Sequence, residues 1–180
     1  MIKVITAPTA EPLTLEEVKA NLRVVFNDED DDIERMIRAA RQMAEERLNR
    51  ALMPQVLAYQ GDTACGRLRL PRPPLRGVDS VTVTATDGTT QAVTDYRVAD
   101  FVDPPELLAA YGAALPVGAA VVQYQAGYAD ATSVPEPIRQ WMLLAIGAFY
   151  EHRTAIATEQ TYALPEDFAK WLLQPYVVYQ

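Results

Sequence analysis

The sequence predicts an α+β fold, mainly α-helical: a helix pair, a central β-hairpin and small antiparallel sheet region, a long apolar third helix, and a short last helix with an extended tail. Three observations predict it. Apolar residues recur at helical spacing near both ends of the chain, the period shortens to two between about 55 and 128, and prolines punctuate the changes. Helices are expected at about 14–23, 29–52, 135–153 and 165–174. No repeat, low-complexity tract or linker interrupts them, so residues 1–175 read as one domain and 176–180 as a tail.

The first helix opens on Thr14-Leu15-Glu16-Glu17, a capping box in which the Thr14 hydroxyl accepts from the Glu17 N–H and the Glu17 carboxylate reaches back. Leu15, Val18 and Leu22 fall on one face. The acidic run Asn27 to Asp32 leads into the second helix. Its apolar stripe is Ile33, Met36, Ile37, Ala40, Met43, Ala44, Leu48 and Ala51, and its opposite face carries Glu34, Arg38, Arg41, Glu45, Glu46 and Arg50. Glu34 to Arg38 and Glu46 to Arg50 are favourable i,i+4 pairs, and Pro54 is the expected stop.

Strand-like runs follow at Val56 to Gln60, Arg67 to Leu70, Val78 to Thr86, Thr89 to Val93, Tyr96 to Ala99 and Ala120 to Ala126. Val81, Val83 and Ala85 alternate with Thr82, Thr84 and Thr86, and Asp87-Gly88 supplies a tight hairpin turn. Pro71-Arg72-Pro73-Pro74-Leu75 is an extended connector, because prolines remove ladder donors. Asp103-Pro104-Pro105 marks another break.

Pro135 and Pro137 suit the start of a helix, where a missing N–H is no loss. From Ile138 to Phe149 hardly any polar face remains, so this helix is expected to be covered on nearly all sides, in part by a neighbouring subunit. Pro165-Glu166-Asp167 opens the last helix and Pro175 closes it. Tyr176-Val177-Val178-Tyr179-Gln180 is then a β-prone end that cannot pack as an isolated strand and seeks a partner edge.

Hydrophobic residues at 49% and charged residues at 22% exclude wholesale disorder. The longest apolar run, Trp141 to Phe149, is too short to span a bilayer and the amino terminus lacks a signal-peptide core, so a soluble intracellular protein is expected. A net charge of −8 disfavours gripping phosphate backbones. Thirteen arginines against Lys3, Lys19 and Lys170 suit bidentate pairing with carboxylates between subunits, or else reflect a GC-rich coding genome.

Candidate chemistry is sparse. Asp28, Asp30 and Asp32 have the one-three-five spacing of a calcium loop, but Ile33 stands where glycine is needed and Ala39 where a bidentate glutamate is needed. The acids read instead as helix-start residues. The lone His152 sits near a helix carboxyl end with no nucleophile to activate, and the lone Cys65 has no partner thiol. Phosphate-binding glycine patterns are absent. No catalytic residue, cofactor or metal is predicted.

In combination, several segments resemble the head-tail connector, or adaptor, proteins of long-tailed bacteriophages, the gp6-like and phiE125 gp8-like families. These are Pro12 to Lys19, Asp31 to Ile37 with Ala39 to Arg41, Leu70 to Leu75 followed by Val78, Ser80 and Val81, Ala126 to Tyr128, Val134 to Gln140, and Phe149 to Arg153. The set covers most of the chain. One departure is His152, where an asparagine is expected.

The resemblance implies a structural virion protein: a dodecameric ring beneath the portal that extends the DNA channel and receives a stopper or tail protein. Duplex DNA would pass the acidic lumen without specific binding, and no membrane would be involved. The chain would reside at the head-tail interface, and in host cytoplasm during assembly. The tail residues Tyr176, Val177, Val178, Tyr179 and Gln180 would reach the portal. Arg35, Arg38, Arg41, Glu45, Arg139, Glu151 and Arg153 are the candidate subunit contacts. The alternatives are a head-closure stopper or tail terminator and, from another class, a small carboxylate-dependent hydrolase.

Overall fold

The computed structural model describes residues 1–63, 66–111, 115–151 and 166–179, with side chains described except at 166–169. The chain divides into two compact units. One, rich in strands, comprises Met1–Thr9, Asn49–Ala129 and Val178–Gln180, and the other, helical, comprises Ala10–Leu48 and Asp130–Val177.

Among the described residues, eight strands build the β unit: β1 (Ile2–Thr6), β2 (Gln55–Asp62), β3 (Arg67–Arg69), β4 (Leu75–Ala85), β5 (Thr90–Ala92), β6 (Tyr96–Ala99), β7 (Glu106–Ala109) and β8 (Gly118–Ala126). They form a five-stranded sheet in the order β1-β2-β8-β4-β5 and a three-stranded sheet in the order β3-β7-β6. Every pairing is antiparallel. The period-two pattern is realised physically. Ala120, Val122, Tyr124 and Ala126 of β8 point inward and are buried, whereas Val121 between them is exposed. On β4, Val81 and Val83 enter the same core, which gathers Leu57, Leu68, Leu70 and Leu107. Each such aliphatic side chain contributes about 1.5–3 kcal/mol on burial.

The β4–β5 hairpin turns at Asp87-Gly88 as its sequence predicts: Gly88 adopts φ 85°, Asp87 Oδ1 accepts from the Thr89 N–H at 2.9 Å, and the Ala85 N–H donates to the Thr89 carbonyl at 2.8 Å. Pro71 to Pro74 of the proline connector stand outside the sheets as expected, whereas Leu75 opens β4, and the Tyr124 hydroxyl donates to the Pro71 carbonyl. Burial pushes that phenol well above the usual tyrosine range. Gly127 has φ 109°, and a Cβ there would lie 2.1 Å from the Met53 carbonyl oxygen, so only glycine fits.

The helical unit holds α1 (Leu15–Leu22), α2 (Asp30–Leu48), α3 (Glu136–Glu151) and α4 (Glu166–Leu173). The capping box of α1 is formed: the Thr14 N–H donates to Glu17 Oε2 at 2.8 Å, and the Glu17 N–H donates to Thr14 Oγ1 at 3.2 Å. Ile33, Ile37, Ala40, Ala44 and Leu48 of α2 are buried at the predicted helical spacing. The helix ends at Leu48, well before Pro54. Asn49 turns left-handed at φ 51°, and Ala51 joins the β core, its N–H donating to the Pro73 carbonyl at 2.9 Å.

Two expectations need correction. Among the described residues, strands occupy nearly as many positions as α-helices, so the α+β fold is not mainly helical. The sequence reading omits β1 and β7, whose strand form depends on pairing with β2 and with β3 and β6. Nor is α3 a long helix covered on nearly all sides. It is shorter than α2 and buries a single stripe of Ile138, Trp141, Met142 and Ile146, with Leu143, Leu144 and Phe149 half-buried. A four-residue stripe repeating about once per turn suffices to dock a helix.

Candidate functional site

The charged side chains singled out on α2 and α3 fall into two groups. Arg35 and Arg38 are exposed and pair within α2, with Asp32 and with Glu34 respectively. Arg41 and Glu45 are buried instead. The Arg41 Nε donates to Glu11 at 2.7 Å and its Nη1 donates to Glu45 at 2.8 Å, so both charges are consumed inside the subunit. This corrects their assignment to an outer polar face: Glu11, far upstream in the chain, covers them. A buried pair keeps its charges only when partnered in this way.

Arg139 sits at the start of α3 between two carboxylates, donating to Glu136 at 2.9 Å and to Glu17 at 2.6 Å. The backbone hydrogen bond from Thr14 holds the Glu17 carboxyl below its ordinary value, and the Arg139 charge acts in the same direction. One residue thus closes the cap of α1 and ties it to α3. The Arg139 Nε is buried without a hydrogen-bond partner among the described residues. Further along, the Tyr150 hydroxyl donates to Glu29 at 2.7 Å, and Lys19 Nζ binds both Asn27 at 2.7 Å and Asp30 at 2.6 Å. The Arg47 guanidinium lies 5.9 Å from the Trp141 ring centre. Glu151 is exposed at the last residue of α3, and Arg153 lies outside the described residues, as do His152 and Cys65.

The carboxyl-terminal residues depart from a free strand. Tyr176 closes a 3₁₀ turn, Gln174–Tyr176. Val178 is buried and its carbonyl accepts from Asn49 Nδ2 at 3.2 Å. Tyr179 is exposed, and Gln180 lies outside the described residues. The β propensity is legible in sequence, but the docking of Val178 needs an acceptor-to-amide contact spanning most of the chain.

Sequence reasoning misses the exposed face of the small sheet. Arg67 and Arg69 on β3 both approach Glu106, at 3.8 and 2.9 Å, and Arg97 on β6 stacks on Tyr111 at 4.9 Å from its ring centre. The signal available was arginine at alternate strand positions, which marks one face. Among the described residues no group of three or more His, Cys, Asp or Glu side chains is placed to hold a metal ion. No described helix is long and apolar enough to cross a membrane.

The charged side chains of the helical unit pair with one another to fix its helices and leave mixed apolar and charged faces outside. The chain belongs to the family of phage gp6-like head-tail connector proteins, whose pattern matches residues 12–102, spanning α1, α2 and strands β2 to β6. That family is one of connectors, not of enzymes. No curated protein matches the chain. Its fold is similar to a chain in the neck of an empty gene transfer agent particle computed with C6 symmetry (TM-score 0.79, 23% identity, 100% of this chain and 96% of the other). A chain in the virion of a native gene transfer agent particle gives TM-score 0.79 at 21% identity, with the same coverage. A chain in a native neck computed with C12 symmetry gives 0.75 at 21%, again covering 100% and 96%.

Proposed function

We propose that this chain is a structural virion protein that assembles as a ring at the head-tail interface of a tailed phage or phage-like particle. It lies there between the portal and the stopper or tail, and extends the DNA channel. The match of residues 12–102 to the connector family carries this reading. The full-length likeness to chains from gene transfer agent necks supports it. A net charge of −8 fits a lumen through which duplex slides, since like charges repel within about a Debye length, ~8–10 Å at moderate salt. Arg35, Arg38, Arg139, Glu151 and Arg153 are offered as contacts to neighbouring copies. Tyr176 to Gln180 are offered as the portal contact, led by the exposed Tyr179.

Electron microscopy of purified particles from the source cell tests this directly. Density for the chain between portal and tail is expected, and its absence from particles sinks the reading. Truncation after Val178 keeps the buried valine seated while removing Tyr179 and Gln180, and is expected to abolish binding to the portal protein. Full portal binding by the truncated chain would remove the tail from the proposal. Binding to a tail protein alone would favour a stopper or tail terminator.

A further inference from the structure

In the small sheet, cross-strand partners share a face, and the register sets Arg67, Leu108 and Arg97 side by side, with Arg69 beside Glu106 in the next row. The intervening residues Leu68 and Leu107 point the other way, into the core. The outward face therefore carries three arginines against one carboxylate, in a chain whose net charge is −8. The Arg67 and Arg69 side chains are 55% and 57% exposed, and Tyr111, on which Arg97 stacks, is 91% exposed. Arginine with an exposed aromatic ring is the composition of a protein contact surface.

The same chain carries a surface of opposite character. In the turn entering α2, Val25 is 91% exposed and Phe26 48%, and Asp28 and Asp31 follow on the surface. Lys19 holds Asn27 and Asp30 from inside the turn, and Arg35 takes Asp32. Asp28 and Asp31 keep no ion pair among the described residues. The turn is pinned before any partner arrives, which lowers the ordering cost of binding.

Resting on the ring reading above, we infer that the arginine face of β3-β7-β6 receives the acidic turn of a second copy, with Asp28 and Asp31 against Arg67 and Arg97 and Phe26 against Tyr111. Two different patches joined head to tail generate a ring when the rotation closes. Charge complementarity favours this occupant over duplex DNA, which the acidic remainder of the chain repels.

Sedimentation equilibrium of the full-length protein across salt concentrations tests the pairing. The wild-type chain is expected to self-associate at low salt. Arg67→Glu with Arg97→Glu, and separately Asp28→Arg with Asp31→Arg, should each weaken association at least about tenfold. Both variants should still unfold in one cooperative transition, since all four side chains are on the surface, with a lower midpoint for the arginine reversal because Arg67 faces Glu106. An equimolar mixture of the two restores association, because each then offers the other an opposite charge at both patches. Association unchanged by either reversal, no recovery on mixing, or a wild-type monomer at every salt concentration overturns the inference. A 20-base-pair duplex that binds wild-type protein and is lost on the arginine reversal alone, with self-association intact, assigns the face to DNA and also overturns it. Failure of the virion reading is separate: absence from particles leaves the mixing result standing, and a neck ring built on other surfaces removes only this pairing.

Discussion

The β unit and the helical unit are held together by different physics. In the β unit, apolar side chains from both sheets fill one core, and the tightest constraints are steric: Gly127 against the Met53 carbonyl, and Gly118 with no room for a Cβ beside Thr84. In the helical unit the apolar stripes are narrow and charge does the fixing. Arg41 gathers Glu11 and Glu45, Arg139 gathers Glu17 and Glu136, and Lys19 gathers Asn27 and Asp30. The difference teaches where each unit is vulnerable: the first to added atoms, the second to lost partners, protons and salt.

Gly127→Ala breaks the comparison most severely. The added methyl meets backbone oxygen at a position with positive φ, and a loss of about 4 kcal/mol is expected in denaturant unfolding of the β unit, unchanged by salt. A loss below about 1 kcal/mol would show that β8 shifts to make room. Arg41→Met comes next. It leaves the buried Glu45 carboxylate without its guanidinium, and hydrogen exchange of the α2 amides should report a loss of about 3 kcal/mol. Adding Glu45→Met should recover most of that loss; no recovery would place the cost in packing rather than in charge.

The smallest expected effect concerns protons. The folded Glu17 carboxyl titrates below its ordinary value of 4.5, so its stabilisation is complete above that pH and disappears as pH falls through the depressed value. Because Glu17 is exposed, the amount is about 0.5 kcal/mol. The stability difference between wild type and Glu17→Gln should therefore shrink on acidification from pH 6 to 3, and a constant difference would contradict the assignment.

Local signals account for what was legible. The Thr14 capping box, the α2 stripe from Ile33 to Leu48 and the Asp87-Gly88 hairpin each depend on residues within a turn or two of one another. β1 was illegible because IKVIT lies on an exposed sheet edge and shows no buried alternation. β7 was illegible because the four residues ELLA have no strand preference until β3 and β6 pair with them on both sides. The candidate contacts divide in the same way. Arg38 stands on the outer face of α2 that periodicity assigns and Arg35 is exposed near it, whereas Arg41 and Glu45 sit inside because Glu11 reaches them from another part of the chain.

Element type, turn position and the connector signature were thus readable from the order of residues, since each rests on short-range geometry. Tertiary structure alone decided that Val178 is seated against Asn49 at a separation of 129 residues, that α3 buries only one stripe, and that three arginines from two different strands share a face. Those outcomes depend on strand register and on distant partners, and a pairing between distant residues leaves no periodic mark at either end.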